Sequence, residues 1–300
     1  MRIIHKPAIS VLSFKAMGSP CKLHLYLTQK QADTVPQAAL NRVLALEKKY
    51  SRYRCDSVTT TINHAAGSGQ GIRVDTETAA LLDYANEAFA QSDGLFDITS
   101  GVLRRIWDFK SGVLPCQEKI TQTLGLVGWQ KLRWRNPYIE LPEGMELDFG
   151  GYVKEYAADT LAVFCMEKGV KHGLIDLGGD IRVIGPHPNG KPWKIGIRNP
   201  DNPEKAIAHI DSTGGGVATS GNYERCMIVD GRRYGHVLNP LTGWPVRGLA
   251  SVTVQADQCL IAGTLSTITM LKGRPEGSIW LQDMDLPNLI IEEHDPGPEA

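Results

Sequence analysis

The chain has 300 residues and a hydrophobic share of 42%, enough to bury a sizeable core without disulfides or oligomerisation, so one globular unit or two intimate lobes is expected. Its 32 basic and 33 acidic residues leave a net charge of −1 with no basic block, which excludes an electrostatic footprint for nucleic acid. Partners are expected among small molecules and other proteins.

The apolar stretch Ala8 to Phe14 stops at Lys15, too short for the core of a signal peptide despite Arg2 and Lys6 upstream. Cys21 follows Met17-Gly18-Ser19-Pro20, which does not read as a lipoprotein acylation site, and no run approaches transmembrane length. A cytoplasmic location without membrane insertion is the expectation. The first strand is expected at Lys22 to Leu27, followed by a helix over Thr28 to Tyr50 in which Leu40, Val43, Leu44 and Leu46 recur at helical spacing. A second helix is expected over Asp75 to Gln91, capped by Asp75 and stopped at Gly94, a third over Tyr152 to Lys168 and a fourth over Gln258 to Lys272. Strands are expected at Leu174 to Ile184, Trp193 to Arg198, Ala206 to Asp211, Arg225 to Val229 and Ala250 to Gln255. Strands and helices do not alternate one for one, so the fold class is α+β rather than a doubly wound parallel sheet. One domain over residues 1–290 is expected, with an acidic, proline-containing tail over 291–300.

The six cysteines, Cys21, Cys55, Cys116, Cys165, Cys226 and Cys259, stand singly, with neither a C-x-x-C pair nor a histidine at ligand spacing, so neither zinc nor a disulfide framework is indicated. Chemistry concentrates in glycine-punctuated segments. In Asp148-Phe149-Gly150-Gly151-Tyr152-Val153-Lys154 an acid precedes two glycines and a lysine at a helix start, where free N–H groups favour phosphate oxygens. The same residues also make an ordinary strand-to-helix turn, with Asp148 as cap and Lys154 in solvent. Gly178-Gly179-Asp180 suits a close approach of backbone to a ligand and equally a bulge or tight hairpin. The stretch from Gly214 to Tyr223, rich in glycine, hydroxyls and an amide, suits a loop wrapped around a polar ligand or a flexible connection. His236, at a strand end before the turn Asn239-Pro240-Leu241-Thr242-Gly243, can serve as a general base or be structural.

Taken in order, these segments resemble the ApbE family of FAD:protein FMN transferases from about Phe14 to Gly273. The matching stretches include Ala16-Met17-Gly18, Tyr50-Ser51-Arg52-Tyr53, Asp93-Gly94-Leu95-Phe96-Asp97-Ile98-Thr99, Asp148 to Lys154, Gly178-Gly179-Asp180, Thr219-Ser220-Gly221-Asn222-Tyr223, the His236 turn and Ser251 to Ala256. The resemblance implies a two-lobed α+β fold with FAD in the groove between lobes, and transfer of FMN from FAD to a threonine or serine hydroxyl of an acceptor flavoprotein, releasing AMP. It implies that Met17, Tyr53, Leu95, Phe96 and Asp97 line the FAD site, that Asp148 and Lys154 contact the cofactor and Val237 touches it through backbone, and that His236 is the general base. For Met17, Tyr53 and Phe96 taken singly, core packing is the other reading.

The resemblance also implies Mg²⁺, held by the Gly151 carbonyl and by an aspartate and a threonine on the last helix. Thr267 retains the threonine, whereas Gly263 stands at the aspartate's place. Without that carboxylate the remaining oxygens are neutral and Mg²⁺ is held weakly or replaced, with Ser266, Thr264 or Asp257 as candidates to take over. Glu155 stands for a glycine, unfavourable beside a diphosphate unless it points away, and Asn239 for an aspartate. Besides the transferase, Gly263 points to an FAD-binding protein without turnover, and water in place of the acceptor hydroxyl would give an FAD pyrophosphatase.

Overall fold

The computed structural model describes residues 8–293 apart from 203 and 224. Its centre is an antiparallel sheet of seven strands in the order Ala8–Ala16, Ser19–Leu27, Gly173–Leu177, Asp180–Gly185, Gly215–Gly221, Leu249–Ala256 and Asn288–Glu292. Alternation sets the inner face: Cys21, Leu23, Leu25 and Leu27 are buried along one strand while Lys22 and Pro20 face outward. The first two strands join through Met17 (φ 51°) and Gly18 (φ 74°), the positive angles that match a two-residue turn to strand twist.

Three long helices cover the buried face. Val35–Tyr50 packs on Val153–Glu167, which packs in turn on Cys259–Lys272 and on the strand Asp180–Gly185. Thr76–Gln91 begins where the Asp75 carboxylate accepts from the Thr78 N–H at 2.8 Å and ends ahead of Asp93 and Gly94, both at positive φ. The principal apolar core runs from Ala16 to Leu281, and a second cluster gathers Val102, Leu103, Trp107, Ile120, Val127, Met227 and Tyr234. No helix among the described residues is long and apolar enough to cross a membrane.

The mixed α+β class holds, and several local expectations change. Ala8–Ala16, judged above only as a signal segment, is the edge strand of the main sheet. The expected helix from Thr28 is two pieces, Gln29–Ala32 and Val35–Tyr50, because Pro36 has no N–H to continue a ladder and sits in a first turn. Within the second piece Leu44 faces solvent, and Ala39 and Val43 are inward. The single strand expected over Leu174 to Ile184 is a hairpin turned at Gly178 and Gly179, both at positive φ. Ile291, placed above in the tail, pairs with Ser251 in the far edge strand, while residues 294–300 lie outside the described residues.

The largest change concerns the stretch from Gly214 to Tyr223. It is not a loop but an inner strand, paired with Asp180–Gly185 on one side and Leu249–Ala256 on the other. Gly216 serves packing: a Cβ there would lie 2.2 Å from the Cys259 main-chain nitrogen. The absence of a side chain is what lets the helix start press directly onto the sheet.

Candidate functional site

A cleft of about 420 Å³ opens beside His236 and is lined by Tyr53, Arg104, Trp107, Phe109, Lys110 and Arg225 among others. Its back wall is rigid: the Trp107 indole N–H donates to the Gly243 carbonyl at 2.8 Å, and its ring stacks on Phe109. Tyr53, 84% exposed, stands at the rim. Three cations against one carboxylate, Asp108, with Tyr53 and Phe109 around one histidine, suit an anionic ligand carrying flat rings.

His236 follows the strand Arg232–Gly235 and is fixed by the turn beyond it, where the Asn239 side-chain oxygen accepts from Leu241 and Thr242 N–H. The amide oxygen makes the turn that an aspartate would make. Its imidazole Nδ1 is buried with no hydrogen-bond partner among the described residues. Burial, then the charges of Arg104 and Arg225, push its pKa down from 6.5 to about 4. In the unfolded chain this histidine takes up its proton first as pH falls, so it costs stability between about 6.5 and 4 and nothing above that window. In the ligand-free protein the His236 ring C–H signals are therefore expected to titrate near pH 4 by NMR. A midpoint at or above 6.5 would contradict the environment described here.

Asp148 ties the cleft to the helix start. One carboxylate oxygen accepts from the Gly150 N–H at 2.8 Å, and the other accepts from Arg52 at 3.0 Å and lies 3.7 Å from Arg104. Arg52 also donates to the Gly101 carbonyl and to Glu146, so one guanidinium joins three segments. Arg52→Ala is expected to cost about 2–3 kcal/mol, the scale for hydrogen bonds to charged groups, and to weaken ligand binding in the cleft by freeing Asp148. Thermal unfolding and ligand titration of that variant check both.

Behind the helix start, Lys154 Nζ lies 2.8 Å from the buried Asp180 carboxylate, so the expectation of a lysine in solvent does not hold. A Cβ at Gly178 would come within 2.5 Å of Ser19 Cβ and 3.6 Å of Lys154 Nζ, and one at Gly18 within 3.9 Å of Arg225. The Met17–Gly18 turn therefore sits between Lys154 and the cleft.

Glu155 and Asp159 share a face of the Val153–Glu167 helix. Asp159 accepts from the N–H groups of Cys259 and Leu260, both at 2.9 Å, capping the next helix. One turn back, Glu155 reaches Gly263: a Cβ there would lie 2.6 Å from Glu155 Cγ and 2.8 Å from its Oε1. Glu155 is 8% exposed, and its Oε2 has no hydrogen-bond partner among the described residues. Burial first, and the Asp180 charge second, push its pKa up to about 8, against the lowering effect of Lys154. Close by, Ser266 donates to the Gly263 carbonyl, and Ser220 shares 2.8 Å hydrogen bonds with both Ser266 and Thr267.

The expected site residues thus divide. Tyr53 and His236 line one cleft, Asp148 is joined to it through Arg104, and Gly18, the neighbour of Met17, approaches the Arg225 side chain. Phe96 is buried against Tyr152, Leu95 packs on the main core, and the Val237 carbonyl accepts from Val246 N–H. Asp97 uses both oxygens inside the fold, accepting from Thr99 N–H and hydroxyl with one and Trp129 N–H with the other. Burial raises its pKa. Gly151 is exposed at the end of the short turn before the helix. Ser266 and Thr264 are engaged, Thr264 by the Tyr84 hydroxyl, and Asp257 is exposed, so none of the three expected replacements fills the Gly263 space. Glu155 does. Arg104 and Arg225 were missed because isolated surface arginines carry no sequence signal.

Residues 17–290 match the model of the ApbE family, and the chain belongs to that family. It is 28% identical to the FAD:protein FMN transferase of Vibrio cholerae over 97% of this chain and 90% of that protein. With the enzyme of the same name from Escherichia coli K12 it shares 30% identity over 90% and 80% of the two chains. Among solved structures, the ApbE protein of Thermotoga maritima superposes with a TM-score of 0.87 at 31% identity, covering 95% of this chain and 94% of the other. The flavin transferase ApbE of Vibrio cholerae gives 0.86 at 26% identity, covering 96% and 95%.

Proposed function

We propose that this protein transfers FMN from FAD to a threonine or serine hydroxyl of an acceptor flavoprotein, with release of AMP. The observation that carries the reading is a neutral imidazole, His236, held at a cleft with Arg104, Lys110 and Arg225. At neutral pH it is unprotonated and able to take the acceptor's proton, and the surrounding cations suit a diphosphate. In the transfer, a bond forms between the acceptor oxygen and the phosphorus of the FMN half, and the diphosphate bond to AMP breaks. AMP leaves with the electron pair, and the acceptor proton goes to His236. Tyr53 and Phe109 offer faces for the rings of FAD, with the buried Trp107 backing Phe109, and Asp148, fixed by Arg52, holds the helix start against the cofactor. Asp97 and Phe96, engaged with Thr99, Trp129 and Tyr152, act by holding their own segments in place rather than by contact.

The residues present fit Mg²⁺. The Gly151 carbonyl and the Thr267 hydroxyl would hold it beside a buried carboxylate oxygen that has no hydrogen-bond partner among the described residues, an all-oxygen set that suits a hard cation. When bound, the ion would offset charge on the diphosphate. Among the described residues no group of three or more His, Cys, Asp or Glu side chains is arranged to hold a metal ion, and the proposed site does not need one. A cytoplasmic site of action is part of the reading, in keeping with six free cysteines, and cell fractionation checks it.

The test is acceptor dependence. With FAD and MgCl₂, AMP is expected only when a protein with a suitable hydroxyl is added, and fluorescent flavin is expected to stay on that protein in a denaturing gel. AMP and free FMN without an acceptor would instead mark a pyrophosphatase.

A further inference from the structure

Residues 155 and 263 compete for one space. A Cβ at position 263 would stand 2.6 Å from Glu155 Cγ, closer than real Cβ atoms come to any neighbour, so a side chain at 263 requires Glu155 to leave its place. The helices run antiparallel here, since Asp159 meets Cys259 and Leu260 while Glu155, four residues earlier, meets Gly263. The Glu155 carboxylate therefore enters the region that a short side chain from the other helix would occupy. It arrives buried, with Oε2 unpartnered among the described residues, next to the turn of helix that carries Thr267 and its hydroxyl contact with Ser220. Ionising this oxygen where it is kept out of water and without a hydrogen-bond donor is costly in the ligand-free protein. That cost is offset if a cation binds it.

We infer that Glu155 is the carboxylate ligand of the divalent cation in this chain, supplying from the Val153–Glu167 helix what Gly263 cannot supply from Cys259–Lys272. The inference rests on the transferase reading above, because it takes the cation to be the one that accompanies FAD. It also removes the main reason for reading the chain as an FAD-binding protein without turnover. The glycine at 263 is then not a lost ligand but the condition for Glu155 to fit.

The experiment uses the 300-residue chain with Mn²⁺ as an oxygen-seeking probe for Mg²⁺. FAD affinity is measured first in EDTA by calorimetry. Mn²⁺ binding to the FAD-loaded protein is then read from the EPR signal of the free ion for the parent, Glu155→Gln, Glu155→Gly, Gly263→Asp and the double variant Glu155→Gly/Gly263→Asp. Glu155→Gln, which keeps the shape, is expected to lose at least ~10-fold in Mn²⁺ affinity, the low end of what even indirect metal contacts supply. FAD affinity in EDTA should stay at the parent's value. Gly263→Asp alone is expected to weaken Mn²⁺ binding, because its side chain displaces Glu155, and the double variant is expected to recover it. Parent-like Mn²⁺ binding by Glu155→Gln, or no Mn²⁺ binding by the FAD-loaded parent, overturns the inference. Should Glu155→Gln fail to fold, the double variant decides: binding no tighter than Glu155→Gly alone overturns the inference too. A parent that fails to bind FAD in EDTA strikes instead at the transferase reading.

Discussion

His236→Ala is expected to slow covalent flavin transfer by at least about 100-fold while FAD binding survives, the lower bound for removing a positioned general base. The split between rate and binding follows from where the residue stands. Arg104, Lys110 and Arg225 supply the charge of the cleft, and the aromatic wall of Trp107 and Phe109 is held by its own contacts. None of these depends on the imidazole. His236 contributes a neutral nitrogen, kept so by burial and two arginines, and that is what a hydroxyl nucleophile requires at neutral pH. Removing those positive neighbours, for example with Arg104→Ala, is expected to raise the histidine's pKa. Rapid-quench measurement of flavin transfer beside FAD calorimetry separates the two effects, and equal transfer rates for His236→Ala and the parent would end the assignment.

Gly216→Ala is expected to be the most damaging single methyl in the protein, at about 3 kcal/mol or more of stability, the upper range for overpacking. The added carbon would run into three consecutive main-chain atoms: the Gln258 carbonyl carbon at 2.5 Å, Cys259 N at 2.2 Å and Cys259 Cα at 2.4 Å. Main chain cannot swing away as a side-chain tip can. The Cys259–Lys272 helix would have to lift, breaking the Asp159 caps and the contacts from Ser220 to Ser266 and Thr267. Gly214→Ala is the control, since a Cβ there meets nothing within 4 Å, and a change within about 0.5 kcal/mol is expected. Urea unfolding of the two variants gives the comparison, and equal midpoints would mean that the helix does not press on this strand.

These two positions also show what can be read from the sequence. Asp75 as a cap, Gly94 as a stop and the helix beginning within a residue of Tyr152 were legible because caps and stops act through neighbours in the chain. The Gly214–Tyr223 stretch was misread because its composition resembles a loop, and only the helix lying across Gly216 gives the glycines a strand's purpose. At the site, the segment order identified the family and the place of His236. Side-chain placement was not legible: Asp97 and Phe96 are engaged within the fold, and Arg104 and Arg225 converge from segments 121 residues apart, as their numbers show. Least legible was Glu155. As a departure beside a phosphate site it looked unfavourable, and as a filler of the Gly263 space it explains a second departure at once.

The central claim is transfer of FMN to protein, and intact-mass spectrometry of an acceptor domain tests it most directly. After incubation with FAD, MgCl₂ and this protein, the acceptor is expected to gain the mass of one FMN residue on a single threonine or serine, with one AMP released per acceptor labelled. FAD that is bound or hydrolysed while every acceptor hydroxyl stays unmodified would contradict the account.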